Sequence, residues 1–159
     1  MINAIIKIVP EDYPTFADMQ RAIYYIYRLN TNKPLPVYCY GAYPPTASTI
    51  ISQINETMCN SSITPTTYLR HFIISFPTNI AYSNTLWLFA DSIAKLFCNE
   101  YQICYACHQD TDNLHFHYVV SAVSYIPATN NLDNEIMSLY LTQMSALAET
   151  FGISLERKD

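Results

Sequence analysis

The sequence predicts an α+β domain, an antiparallel sheet with its helices segregated to one side. Three observations carry that expectation. Tyr68 to Phe76, Gln102 to His108 and His115 to Val123 read as strands. Longer segments between such runs carry apolar residues at helical spacing. The last two strands are separated only by Gln109-Asp110-Thr111-Asp112-Asn113, a polar, turn-forming run that makes them a hairpin with a longer loop.

Taken in order, Ala4 to Val9 is a short strand or extended entry. Pro14 stands just before a helix from about Thr15 to Arg28, with Phe16, Met19, Ile23 and Ile26 on one stripe. Asn30 to Pro36 is a loop, and Val37 to Gly41 is expected as a strand. Pro44-Pro45-Thr46 introduces a helix through roughly Met58. Pro77 closes the strand that began at Tyr68. A helix from about Ser83 to Cys98 follows, with Leu86, Phe89, Ile93 and Leu96-Phe97 as its apolar positions. Asp133 opens a last helix, Ile136 to Phe151, ended by Gly152. No repeat, low-complexity tract or linker interrupts residues 1–159, which read as one domain.

Composition narrows the function classes. Half of the residues are apolar and 13% are charged, which favours a folded body over a disordered one. With only two glycines, backbone positions at positive φ are expected to fall mostly to Asn and Asp. No run reaches the roughly 18 apolar residues that span a bilayer, and no secretory signal opens the chain, so no membrane partner and a cytoplasmic location are expected. Five irregularly spaced cysteines do not form an extracellular disulfide framework. Cys104-Tyr-Ala-Cys107 matches C-x-x-C, but on a strand residues three apart point to opposite faces, so these thiols are read as core residues. The net charge of −5, with eight Lys and Arg, opposes strong nonspecific binding to nucleic acid. Fourteen tyrosines are compatible with a nucleic-acid surface or a protein interface.

Three of the four histidines fall within ten residues, at the mouth of the hairpin. His115 and His117 are spaced i, i+2, which places both imidazoles on one strand face, and His108 ends the partner strand. Three neutral nitrogens so clustered bind a divalent cation and leave coordination positions open, as a catalytic metal requires. Asp110 and Asp112 are available as acceptors for the ring N–H groups. His71 stands apart, expected to pack on the sheet or touch substrate.

The run His108-Gln-Asp-Thr-Asp-Asn-Leu-His-Phe-His117 resembles the H-x-D-x-x-x-x-H-x-H motif of the mobilisation relaxases, HUH endonucleases of plasmid and conjugative-element transfer. Arg70-His-Phe-Ile-Ile-Ser-Phe-Pro77 looks like the family's strand ending in a Ser-Phe pair, and Ala22-Ile-Tyr-Tyr-Ile26 like the segment that carries the family's nucleophilic tyrosine before an isoleucine. The resemblance covers about Thr15 to Tyr125. It implies an HUH relaxase-like fold and a catalytic Tyr25, with Tyr24 and Tyr27 as alternates on the same helix. In this family the tyrosine precedes the histidines; Tyr125 and Tyr140 follow them, and Tyr140 is the position to test if the order were reversed.

The resemblance further implies metal-dependent nicking and rejoining of single-stranded DNA at an origin of transfer, through a 5′-phosphotyrosyl intermediate. Mg²⁺ or Mn²⁺ is the implied cofactor, with Zn²⁺ or Ni²⁺ acceptable to a tris-imidazole site as isolated. An accessory DNA-binding protein would offset the acidic charge. Two other readings stay open at this point. One is a relaxase-like DNA-binding or relaxosome accessory module of weak or no activity; the other is a phosphodiesterase that activates water.

Overall fold

A computed structural model gives the structure of the protein and describes residues 1–125 and 130–159. The elements run β1 (Ile2–Ile8), α1 (Phe16–Ile26), β2 (Tyr38–Tyr40), α2 (Ala47–Cys59), β3 (Leu69–Ser75), α3 (Asn84–Phe97), β4 (Ile103–His108), β5 (His115–Ser121), α4 (Asn134–Thr150) and β6 (Ile153–Lys158). Six strands form one sheet in the order β2-β4-β5-β3-β1-β6, antiparallel except where β6 runs parallel to β1. This is the α+β class that the sequence predicts. Among the described residues, no helix is long and apolar enough to cross a membrane.

Local chemistry sets the helix ends. The Thr15 hydroxyl accepts from the Asp18 N–H while the Asp18 carboxylate accepts from the Thr15 N–H, a reciprocal cap that starts α1. Thr46, Ser83 and Asp133 cap α2, α3 and α4 one way only, each side chain accepting from the backbone N–H three residues on. Gly152 turns the chain out of α4 at φ 71° and into β6. The sequence reading ended at that glycine and did not anticipate β6. Only Ile153 of this edge strand is fully buried, so its apolar signal is faint beside the parallel pairing with β1.

The helices do not lie on one side. One core joins α3 and α4 to Phe72, Ile74, Tyr105, Phe116 and Tyr118; a second joins α1 and α2 to Leu69, Cys104, Ala106 and Val119 on the opposite sheet face. The reason is visible in β4 and β5, which are buried at nearly every position rather than alternating. A sheet covered on one face only would leave Leu69, Val119 and Ala106 in water, and burying each larger one stabilises the fold by about 1.5–3 kcal/mol. Cys104 faces the α1–α2 core and Cys107 packs against the other, as expected from strand geometry, and all five thiols are free.

Candidate active site

Strand parity brings the imidazoles together. His108 pairs directly with His115 across β4 and β5, while His117 lies opposite Ala106 on one side and Ile73 on the other. Every second residue shares a face, so His71, His108, His115 and His117 all stand on the α1 side of the sheet. The small Ala106, opposite His117, leaves room for the rings beneath the end of α1. Ring centres of His108, His115 and His117 lie 4.3–5.2 Å apart, and one nitrogen from each falls within 4.8 Å of the others. These three side chains can hold a metal ion.

The hydrogen bonds fix which nitrogens carry lone pairs. His115 Nδ1 is 2.9 Å from the Asn113 carbonyl, which can only accept, so Nδ1 carries the proton and Nε2 the lone pair. His117 Nδ1 is 2.9 Å from His71 Nε2, and His71 Nδ1 is 2.9 Å from the Tyr13 hydroxyl. The Nε2 of His117 is buried and without a partner. A cation satisfies it if His117 donates from Nδ1 to His71 and His71 donates in turn to Tyr13. The opposite direction strands a buried N–H donor, at a cost of about 1–3 kcal/mol. His108 is the busier ring: Nε2 donates to the Ile26 carbonyl at 2.8 Å, and Nδ1 faces the Arg28 guanidinium at 3.3 Å. One of those contacts would have to open for His108 to serve as a third ligand.

Burial disfavours the charged form of His117, His71 and His108. It pushes the His117 imidazolium down to about 2, aided by His108, His71, His115 and Arg28 nearby. His71 is lowered to about 4 by burial and by His108. His108 is lowered mainly by burial, with the Ile26 bond opposing. Neutral imidazoles present lone pairs at physiological pH, as metal ligation requires. The Tyr13 phenol, raised to about 12 by burial and then by Glu11, stays protonated.

Neither Asp110 nor Asp112 accepts the hydrogen bond from a ring N–H that the sequence suggested. Asp110 pairs instead with Arg28 at 2.7 Å, and Asp112 is exposed in the hairpin loop. The ring N–H groups find the Ile26 and Asn113 carbonyls and His71, because these lie within the sheet layer while the carboxylates project from the loop.

Tyr25 completes the constellation. Its ring meets His117 edge-on at 5.5 Å and His108 at 5.8 Å between centres, and the side chain is 52% exposed. The Arg28 guanidinium lies 5.4 Å from the centre of the same ring.

Comparison with known protein families places the domain as a whole. The model for "Relaxase: MobA/VirD2-like, nuclease domain" matches residues 25–146, most of the chain. The chain belongs to the MobA/VirD2-like relaxase family. No curated protein and no solved structure matches it.

Within this relaxase domain the other tyrosines have different surroundings. Tyr27 is fully buried in the α1–α2 core and donates to the Tyr38 carbonyl at 2.8 Å. Tyr24 packs half-buried against the same core. Tyr140 stacks on Phe97 at 4.1 Å within the α3–α4 core, and Tyr125 donates to the Cys98 carbonyl.

Tyr13 and Arg28 escaped the sequence reading, and His71 has a partner it did not assign. His71, expected on the sheet or at substrate, orients His117; Tyr13 orients His71 in turn. Their separation by 58 residues in the chain leaves no local signal. Arg28 follows α1 as the left-handed residue of a helix stop, at φ 56°. The Leu29 N–H returns to Tyr24 O and the Arg28 N–H to Tyr25 O, the paired bonds of a stop that glycine usually makes. The expectation that Asn and Asp take positive φ is thereby corrected: among the described residues only Gly41, Gly152 and Arg28 do so. Turning back there aims the Arg28 side chain at His108 and Asp110.

Two cavities flank the site with opposite character. One, about 500 Å³, is lined by Glu11, Asp12, Asp18, Arg21, Tyr25 and His117. The other, about 440 Å³, holds Arg28 and Lys33 with Asp110, beside His108 and Gln109, and so carries an excess of one positive charge.

Proposed function

We propose that this relaxase domain nicks and rejoins one strand of DNA at a transfer origin, with Tyr25 as nucleophile and His108, His115 and His117 as ligands of a Mg²⁺ or Mn²⁺ ion. The supporting observation is the exposed Tyr25 phenol standing edge-on to two imidazoles that can hold a metal. A bound divalent ion would supply charge neutralisation on the nonbridging phosphate oxygens. Tyr25 Oη forms a bond to phosphorus, the bond from phosphorus to the 3′-oxygen breaks, and the products are a 5′-phosphotyrosyl ester and a 3′-hydroxyl. The phenol proton leaves to solvent, which reaches the half-exposed ring, and the 3′-oxygen takes up a proton. Energy is conserved in the ester, so attack by the hydroxyl reverses the reaction without ATP. Arg28 adds a fixed positive charge beside His108 and Tyr25.

The chain's net charge of −5 and the carboxylates of the larger cavity favour a second reading, a DNA-binding relaxosome module of little activity. One experiment separates the two. The protein is incubated with Mn²⁺ and single-stranded DNA containing candidate origins, and a nucleotide on tyrosine is sought by mass spectrometry. The relaxase reading expects an adduct on Tyr25 that vanishes in Tyr25→Phe. DNA binding with no adduct on any tyrosine supports the accessory module, and an adduct on Tyr24 overturns the choice of nucleophile. An accessory DNA-binding protein and a plasmid or conjugative element as host follow from the same reading.

A further inference from the structure

Past the cavity of Arg28 and Lys33, on the α3 face of the sheet and so opposite the histidines, lies a smaller slot of about 120 Å³ with aromatic walls, Tyr38, Tyr82 and Trp87, closed by Leu35 and Gln109. Its base is rigid. Tyr105 is sandwiched between Tyr38 at 5.5 Å and Tyr118 at 5.7 Å, and its hydroxyl donates to the buried Asp91 carboxylate at 2.8 Å. Asp91 also accepts from Tyr40 at 2.6 Å and pairs with Lys95 at 2.9 Å, so the network behind the slot is fully engaged. The walls, in contrast, reach solvent: Tyr38 is 37% exposed and Tyr82 is 42% exposed. Trp87 meets Tyr38 edge-on at 6.0 Å.

We infer that this slot binds one nucleobase of the single strand whose phosphodiester lies at Tyr25, an inference that rests on the relaxase reading. Continuity argues for that occupant. Leu35, Cys107 and Gln109 line both the slot and the cavity that holds Arg28, Lys33 and His108. A strand leaving the histidines along that cavity passes Arg28, paired with Asp110, and Lys33, and turns round the edge of β4 beyond its pairing with β2 before it reaches the aromatic walls. The slot has room for a single ring system and is too small for a helix or a strand of a protein partner. Gln109 brings an amide that both donates and accepts, suited to a base edge. Stacking also answers the charge problem: a chain of net charge −5 draws little affinity from phosphates, whereas an aromatic face binds any base without regard to charge.

Trp87 is the only tryptophan and so reports on the slot directly. The full chain, treated with a chelator, is titrated with a short single-stranded oligonucleotide of mixed sequence and with an abasic strand of equal length. The expected result is quenching of Trp87 emission by the first and not by the second. Tyr38→Ala is expected to weaken oligonucleotide binding by about 5- to 100-fold with an unchanged salt dependence, while Tyr38→Phe, which keeps the ring and the strand, binds as wild type. Equal quenching by the abasic strand, or full affinity in a folded Tyr38→Ala, overturns the inference. The two readings fail separately. A Tyr25 adduct formed with Trp87 emission unmoved removes the base site alone; quenching with no adduct on any DNA removes the relaxase reading alone.

Discussion

Replacing Arg28 with glycine separates the energetic role of this residue from its chemical one. Arg28 sits at φ 56°, where a side chain costs on the order of 1 kcal/mol relative to glycine. Against that stand two contacts. The ion pair with Asp110, whose carboxylate side chain is 59% exposed, contributes roughly 0–1 kcal/mol. The guanidinium 5.4 Å from the Tyr25 ring centre adds about 0.5–1 kcal/mol. Arg28→Ala loses both contacts and keeps the backbone strain, so it unfolds more easily than wild type. Arg28→Gly loses the same contacts but sheds the strain, so its stability returns close to wild type. The glycine variant is therefore expected to exceed the alanine variant by about 1 kcal/mol, roughly 2–4 °C in Tm. Nicking of single-stranded DNA should fall on the order of 10²-fold in both, because both lack the charge beside His108 and Tyr25. Thermal unfolding in chelator gives the first quantity and gel-resolved nicking with Mn²⁺ the second. Equal Tm values for the two variants would refute the strain argument. Wild-type nicking by Arg28→Gly would refute the assignment of Arg28 to the site.

The remaining predictions concern the rings and the phenol. Tyr25→Phe should abolish the covalent adduct while leaving Tm within about 1 °C, since an exposed hydroxyl contributes little to stability; adduct formed at an undiminished rate would move the chemistry to another residue. His71→Ala removes the acceptor that orients His117 and should weaken Mn²⁺ binding by about 10–100-fold by calorimetry, with unchanged affinity counting against the hydrogen-bond chain. Acid should destabilise the metal-free protein. His71 and His117 are held at about 4 and about 2, below the ordinary histidine value of about 6.5 in the unfolded chain. Stability is therefore level above about pH 6.5 and is lost as pH falls, because the unfolded chain takes up protons that the native rings refuse. Between about pH 6.5 and about pH 4 each ring contributes a slope of roughly 1.4 kcal/mol per pH unit, and below that His117 alone continues. Urea midpoints across this window measure the slope, and a flat profile would mean that the rings are protonated in the fold.

Much of this protein is set by short-range pattern. The capping residues Thr15, Thr46, Ser83 and Asp133 start the four helices, and period-2 spacing puts His115 and His117 on one face, because both effects act within a few residues. The hairpin likewise brings His108 opposite His115 across a six-residue connection. What the tertiary structure alone decides are the long-range choices. Strand order places β3 beside β5, so His71 meets His117; the second core on the α1–α2 face turns Tyr25 toward the imidazoles and Tyr27 away from them. Neighbouring tyrosines on one helix are alike in sequence, and only what packs against each side of that helix distinguishes the exposed phenol from the buried one. The β6 pairing, the left-handed Arg28 and the loop carboxylates turned from the rings belong to the same class. Each depends on contacts or backbone closure whose free energy exists only once distant segments have met.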